Sequence, residues 1–116
     1  MVRFLPFVHE RDRLAALYRE AACVVDPGPY ETFGLVVLEA AASGARVVAC
    51  ASTPSAHVAA PLVETFAAKD PHDLRRAIDR ALAARGDSAA AAALSARLRW
   101  DAVFAAELAD LARLVG

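Results

Sequence analysis

The sequence predicts an α/β fold: a partial parallel sheet flanked by helices, with further helices toward the C-terminus. Three observations carry this. Between Val24 and Cys50 an apolar run ends in a Pro/Gly turn, a helical stretch follows, Gly44 stops it, and a second apolar run begins. That is a strand–loop–helix–strand unit of the kind that builds parallel sheets. Short apolar runs recur at Leu62-Val63 and near the start, and the last third is helix-favouring throughout.

Val2–Phe7 reads as a short strand, and Pro6 makes it a strand end rather than a sheet centre. A helix follows over residues 11–21, with Leu14, Leu17 and Tyr18 on its apolar face and Arg11, Asp12, Arg13, Arg19 and Glu20 on its polar one. Residues 22–26 read as a continuous buried strand, and Asp26-Pro27-Gly28-Pro29 as the turn that leaves it. Thr32 is the expected N-cap of the next helix, and Gly44 its left-handed stop. Residues 46–51 form the next strand and Ser52–His57 a loop. Asp70, Pro71 and Asp73 mark a helix start, with Leu74, Ala77, Ile78, Ala81 and Leu82 at helical spacing until Gly86. Asp87-Ser88 caps another helix, which breaks around Arg99-Trp100-Asp101 and continues to the terminus. Trp100 is read as core or interface packing.

With 116 residues the chain is one small domain, residues 1–116, large enough for a hydrophobic core. It is 58% hydrophobic and 23% charged, with a formal net charge of -1. That balance gives no electrostatic case for nucleic acid. No apolar run approaches the ~18 residues that a membrane-spanning helix needs, and Met1–Pro6 is too short for a secretory signal. A cytoplasmic location is the default expectation. Cys23 and Cys50 fall at strand ends without nearby histidines, so they read as small hydrophobes rather than zinc ligands. His9, His57 and His72 read as solvated loop or helix-start residues, and no residue set suggests a metal site.

The chemistry concentrates between Glu31 and Glu39. The amides of Phe33, Gly34 and Leu35 at the helix start suit an anion, and Gly34 leaves room for a ligand near the backbone. Glu39 interrupts a helix that is otherwise apolar nearly all round, which predicts burial. It lies roughly 7–8 Å along the axis from Gly34 at ~1.5 Å per residue, about the distance from a diphosphate to the far side of its ribose. Each glutamate alone also has a plain reading: Glu31 complements a helix N-terminus, and Glu39 pairs with a structural arginine.

Taken together, Glu31-Thr32-Phe33-Gly34-Leu35, Leu38-Glu39-Ala40 and the following Gly44-Ala45-Arg46-Val47-Val48 resemble the donor-site signature of retaining GT-B glycosyltransferases of the "group 1" or family-four class. The resemblance implies a partial Rossmann-like sheet, the C-terminal donor domain of such an enzyme. It implies that Glu31, Thr32, Phe33, Gly34 and Leu35 sit on the sugar side and that Glu39 anchors the ribose of a GDP-, UDP- or ADP-sugar. No cofactor, metal or catalytic residue is carried over. The segment Val2–Val8 resembles the family's base-side segment, with Pro6 in place of glycine; Arg46 replaces a proline, and Ser52–His57 replaces a Gly-Gly loop. In the expected 3-2-1-4-5-6 order, Val2–Phe7 lies two strands away from residues 22–26. The acceptor domain and the Arg/Lys clamp of the family are expected to lie outside this chain, as would any peripheral membrane association.

The function so implied is retaining, sugar-nucleotide-dependent hexosyl transfer, with this chain as a donor-binding fragment that is inactive alone. The alternative is a non-catalytic remnant, or a half that depends on a separate chain for the N-terminal domain. An unrelated dinucleotide-binding module would require a Gly-x-Gly-x-x-Gly turn, which the sequence lacks.

Overall fold

The computed structural model describes residues 1–84 and 87–115. The helix stop expected at Gly86 and the packing expected of the Trp100 side chain lie outside what it describes. In chain order the elements are α1 (Arg11–Glu20), β1 (Val24–Asp26), α2 (Leu35–Ala42), β2 (Val47–Cys50), α3 (Pro54–Val58), β3 (Val63–Phe66), α4 (Pro71–Ala83), α5 (Ser88–Arg97) and α6 (Trp100–Val115). The strands form one parallel sheet in the order β1-β2-β3. Val24 is opposite Val47, and Val47 opposite Val63. The predicted α/β class and parallel, Rossmann-like sheet are therefore present.

β2 is the hinge of the architecture. All four of its residues are buried, and their alternation supplies both cores, as the two-residue period of a strand requires. Val47 and Ala49 join Val37, Leu38, Ala40 and Ala41 of α2 and Leu94 of α5 on one face. Val48 and Cys50 join Phe66, Ala77 and Ala81 on the other, with Leu74 and Ile78 of α4 against them. Helices thus cover both faces of β2, the environment in which a strand reads as a continuous apolar run.

Three expectations fail, each for a physical reason. Residues 1–10 form no strand, and Phe4 is 93% exposed. A strand exists only by pairing, and no described strand occupies the two positions expected between this segment and β1. β1 is shorter and more open than a buried strand, with Val25 37% exposed, because it pairs only with β2. The stretch Ser52–His57 is not a loop throughout: Pro54–Val58 is helical, with proline in its first turn, where a missing N–H and a fixed φ cost nothing. The brief strand expected at Leu62-Val63 is present as β3, which begins at Val63 and extends to Phe66, with Leu62 buried just before it.

The later helices follow their local signals. Asp70 accepts from Asp73 N at 2.9 Å and Asp87 from Ala90 N at 2.9 Å, so both expected N-caps form. Leu82, at the end of the apolar repeat of α4, stays 54% exposed. Arg80 ties α4 to β3, donating to Glu64 at 3.0 Å and to the Thr65 carbonyl at 3.2 Å. Arg97 at the end of α5 donates to the Val58 carbonyl at 2.7 Å, which fixes α5 beside α3. The break between α5 and α6 falls at Leu98–Arg99. Among the described residues no helix is long and apolar enough to cross a membrane, and no His/Cys/Asp/Glu cluster suits a metal ion.

Candidate functional site

The turn into α2 is built around Gly34. Its φ of +88° is left-handed, the region that glycine occupies without penalty. A Cβ placed there would lie 2.6 Å from both Ser55 Oγ and Thr53 Cγ2. Ser55 Oγ donates to the Gly34 carbonyl at 2.7 Å, and Ser55 N to the Phe33 carbonyl at 3.0 Å. The space that the sequence assigns to a ligand is therefore filled from beneath by the start of α3. Gly34 itself is the N-cap, without a side-chain capping bond; Thr32 is exposed and two residues too early. The first helical amides consequently belong to Leu35 and Val36, and Val37 N turns back to the Gly34 carbonyl at 3.2 Å.

Glu39 is exposed, not buried. Helix α2 buries Val37, Leu38, Ala40 and Ala41 and leaves Leu35 and Val36 64% and 44% exposed. The open side faces a groove of about 1050 Å³. Phe33, Leu35, Leu38, Glu39 and Ala42 form one wall. Arg11 enters from α1, and Ser95, Leu98, Arg99 and Val103 close the other side from α5 and α6. The lining is mostly apolar, with one carboxylate and two guanidiniums. Tyr18 of α1 sits near enough to Glu39 to feel it: burial raises the phenol above its usual range, and the Glu39 charge raises it further.

The structure therefore gathers Phe33, Leu35 and Glu39 in one groove, whereas Gly34 is buried and does not line it. Glu31 and Thr32 lie in the exposed loop before it. Glu31 flanks Gly28 together with Asp26: a Cβ on Gly28 would be 3.8 Å from Asp26 Oδ1 and 4.0 Å from Glu31 Oε1. Tyr30 is 83% exposed. His9 is exposed and meets Phe7 edge-on at 4.7 Å. His57 lies at the end of α3, within 3.2 Å of the Ala51 carbonyl. Cys50 is buried and Cys23 half-buried, both as free thiols.

This strand–turn–helix geometry coincides with a family match. The family model described as "Glycosyl transferases group 1" matches residues 1–99. The chain belongs to that family. Curated relatives of this group 1 chain agree in kind. It is 43% identical over 90 residues to a D-inositol 3-phosphate glycosyltransferase of Geodermatophilus obscurus, covering 73% of this chain and 19% of the relative. Proteins of the same name from Salinispora arenicola and Mycobacteroides abscessus are 56% and 52% identical over 50 residues, 43% of this chain and 11% of each relative. The group 1 chain thus spans about a fifth or less of the length of these relatives. No solved structure matches it.

Sequence reasoning overlooked the far wall of the groove in this group 1 domain. Leu98, the C-cap of α5, and Val103 of α6 are distant in sequence from the glutamates, and no local pattern connects them. Arg11 did leave a signal. A cation at the first position of a helix opposes the helix dipole, so its presence there calls for a reason other than helix stability.

Proposed function

We propose that this chain is the donor-binding part of a retaining glycosyltransferase that takes a hexose from a nucleotide sugar. The observation that carries the reading is the groove beside α2. It brings the ribose-side residue Glu39 together with Phe33 and Leu35 of the sugar-side string, against an apolar surface that can receive a base. Its Phe33 end lies at the start of the helix that follows β1, the strand end at which ligands of open α/β sheets generally bind. Here Glu39 accepts hydrogen bonds from ribose hydroxyls, and Glu31 and the amides at the start of α2 address the sugar. The donor is a GDP-, UDP- or ADP-sugar, and the protein acts by positioning it and stabilising the leaving diphosphate. A cytoplasmic location belongs to the same proposal and rests on the sequence alone.

Thermal melting with GDP, UDP, ADP and their sugar conjugates tests this, because a ligand that binds only the native state raises its stability. One nucleotide series is expected to raise the melting temperature, with Glu39→Gln abolishing the shift given by the nucleotide alone. Glu31→Gln is expected to remove only the extra shift given by the sugar. No response to any nucleotide would sink the reading.

A second reading, a half that works only with a separate chain, is favoured by one observation: α6 leaves Leu108, Leu111, Leu114 and Val115 between 56% and 89% exposed. Co-expression with an acceptor-domain chain, scored by co-purification and sugar transfer, would separate the two.

A further inference from the structure

We propose that Ser55 is a positioning residue for the donor: from the first turn of α3 it aims the amides at the start of α2 toward the sugar. Ser52, just after β2, assists it. The inference deepens the function proposed above and rests on it.

The turn into α2 does not hold itself. Its N-cap, Gly34, has no side-chain capping bond, and a glycine adopts either sign of φ with little penalty. The restraint comes from a segment about twenty residues later in the chain. Ser55 is fully buried. Its N–H donates to the Phe33 carbonyl at 3.0 Å and its Oγ to the Gly34 carbonyl at 2.7 Å. Ser52 Oγ donates to the Pro29 carbonyl at 3.2 Å, two residues before Glu31. Cys50 Sγ lies 3.1 Å from the same hydroxyl, so the thiol donates to Ser52 while Ser52 donates to the loop. Three carbonyls of the loop are therefore tied to residues 52–55.

Peptide planarity turns these bonds into an orientation. In a trans peptide unit the C=O and the N–H that follows it share one plane and point in opposite directions. Drawing the Phe33 and Gly34 carbonyls toward α3 therefore turns the Gly34 and Leu35 N–H groups away from α3. Neither amide has a hydrogen-bond partner among the described residues, and Leu35 lines the groove that also holds Glu39. The outward amides carry the partial positive charge of the helix start. Without Ser55 Oγ the Gly34 carbonyl would keep only the bond from Val37 N at 3.2 Å, and the plane between Gly34 and Leu35 could rotate about the glycine. Ser55 touches no ligand in this account; it fixes the direction of groups that do.

The test is calorimetric titration of the full chain with GDP, UDP and ADP and with their hexose conjugates, for wild type, Glu31→Gln, Ser55→Ala, Ser52→Ala and Thr53→Val. Ser55→Ala is expected to weaken the sugar nucleotide about twofold to tenfold relative to the nucleotide, the worth of one hydrogen bond. Affinity for the nucleotide itself should stay at the wild-type level. A purely structural role would lower both affinities in proportion and leave their ratio unchanged. Thr53→Val preserves the shape of a buried neighbour whose hydroxyl has no partner among the described residues, so its ratio should match wild type. A fall in the ratio for Thr53→Val as large as for Ser55→Ala would overturn the assignment, because packing rather than the hydroxyl would then be responsible. An unchanged ratio in Ser55→Ala, beside a ratio that Glu31→Gln does lower, would overturn this inference alone. Should Ser55→Ala fail to fold, Ser52→Ala decides: at its exposed site it should lower the ratio about twofold, and an unchanged ratio would overturn the inference. If wild type binds no nucleotide, the proposed function falls and this inference with it.

Discussion

Replacing Gly34 by alanine should be among the most destabilising single-methyl changes this fold can undergo. The new Cβ would sit 2.6 Å from two atoms, Ser55 Oγ and Thr53 Cγ2, and both side chains belong to fully buried residues. Neither can swing into solvent. Forcing an L-residue into the left-handed region costs about 1–2 kcal/mol, and overpacking a filled site typically adds ~1–3 kcal/mol. The expected loss is therefore roughly 2–5 kcal/mol. Gly44 provides the control. It has a similar φ of +95°, and a Cβ there would meet nothing within 4 Å, so Gly44→Ala should cost only the strain, about 1–2 kcal/mol. Urea unfolding followed by circular dichroism measures both. Ser55→Ala should be less than additive with Gly34→Ala, because it removes one of the two close contacts. Equal losses for the two alanines would refute the packing argument and return Gly34 to the role of a mere turn residue.

Other perturbations have equally definite signs. Asp70→Ala and Asp87→Ala each remove an N-cap and should cost about 1 kcal/mol apiece, read as lowered melting temperatures. Thr53 Oγ1 is buried with no hydrogen-bond partner among the described residues. Thr53→Val should therefore be neutral or slightly stabilising in the same melts, since it removes an unsatisfied hydroxyl without changing shape. The folded pKa of Tyr18 is raised by burial and then by Glu39. Its contribution is thus complete below the ordinary value of 10.0 and is lost as pH rises through the higher folded value. Stability measured from pH 9 upward should fall less steeply in Tyr18→Phe, and the Glu39→Gln curve should lie between that variant and wild type. Asp73 is the opposite case. Its folded pKa is lowered, chiefly by the hydrogen bond from Ala67 N and further by Arg76. That contribution is present above pH 3.8 and disappears as pH falls through the lower folded value, so Asp73→Asn should flatten the acid limb of the same profile.

Much of the fold was legible because its signals are local. Asp70-Pro71 and Asp87-Ser88 carry their own capping chemistry, and the Val47–Cys50 run could be buried on both faces only as a central parallel strand. What escaped depended on distant partners. Thr32 has the right side chain for an N-cap, but Ser55 and Thr53 press on the backbone two residues later and move the helix start to Gly34. Residues 52–57 contain a proline that reads as a breaker, and a five-residue helix is too short to show a period. Val2–Phe7 has the composition of a strand and nothing to pair with. The glutamate spacing located the candidate site, yet the expected burial of Glu39 failed. Composition cannot reveal that α5 and α6 leave one side of α2 open. The far wall of that groove, Ser95, Leu98 and Val103, was invisible for the same reason.

The strand order has a consequence for how the chain folds. Because β1, β2 and β3 lie in the sheet in the order in which they occur in the chain, each pairing closes only the short crossover between neighbours. The cost of closing a loop grows with the logarithm of its length, so neither pairing bears the penalty of a long-range return, and assembly can proceed in the direction of synthesis. β2 must dock first in either route, since both other strands pair with it alone. A chain released after Phe66 would already contain the three described strands, whereas one released before Val47 would contain no pair of them. Substitutions in β2 should accordingly slow folding, while those in α6 should leave the folding rate unchanged.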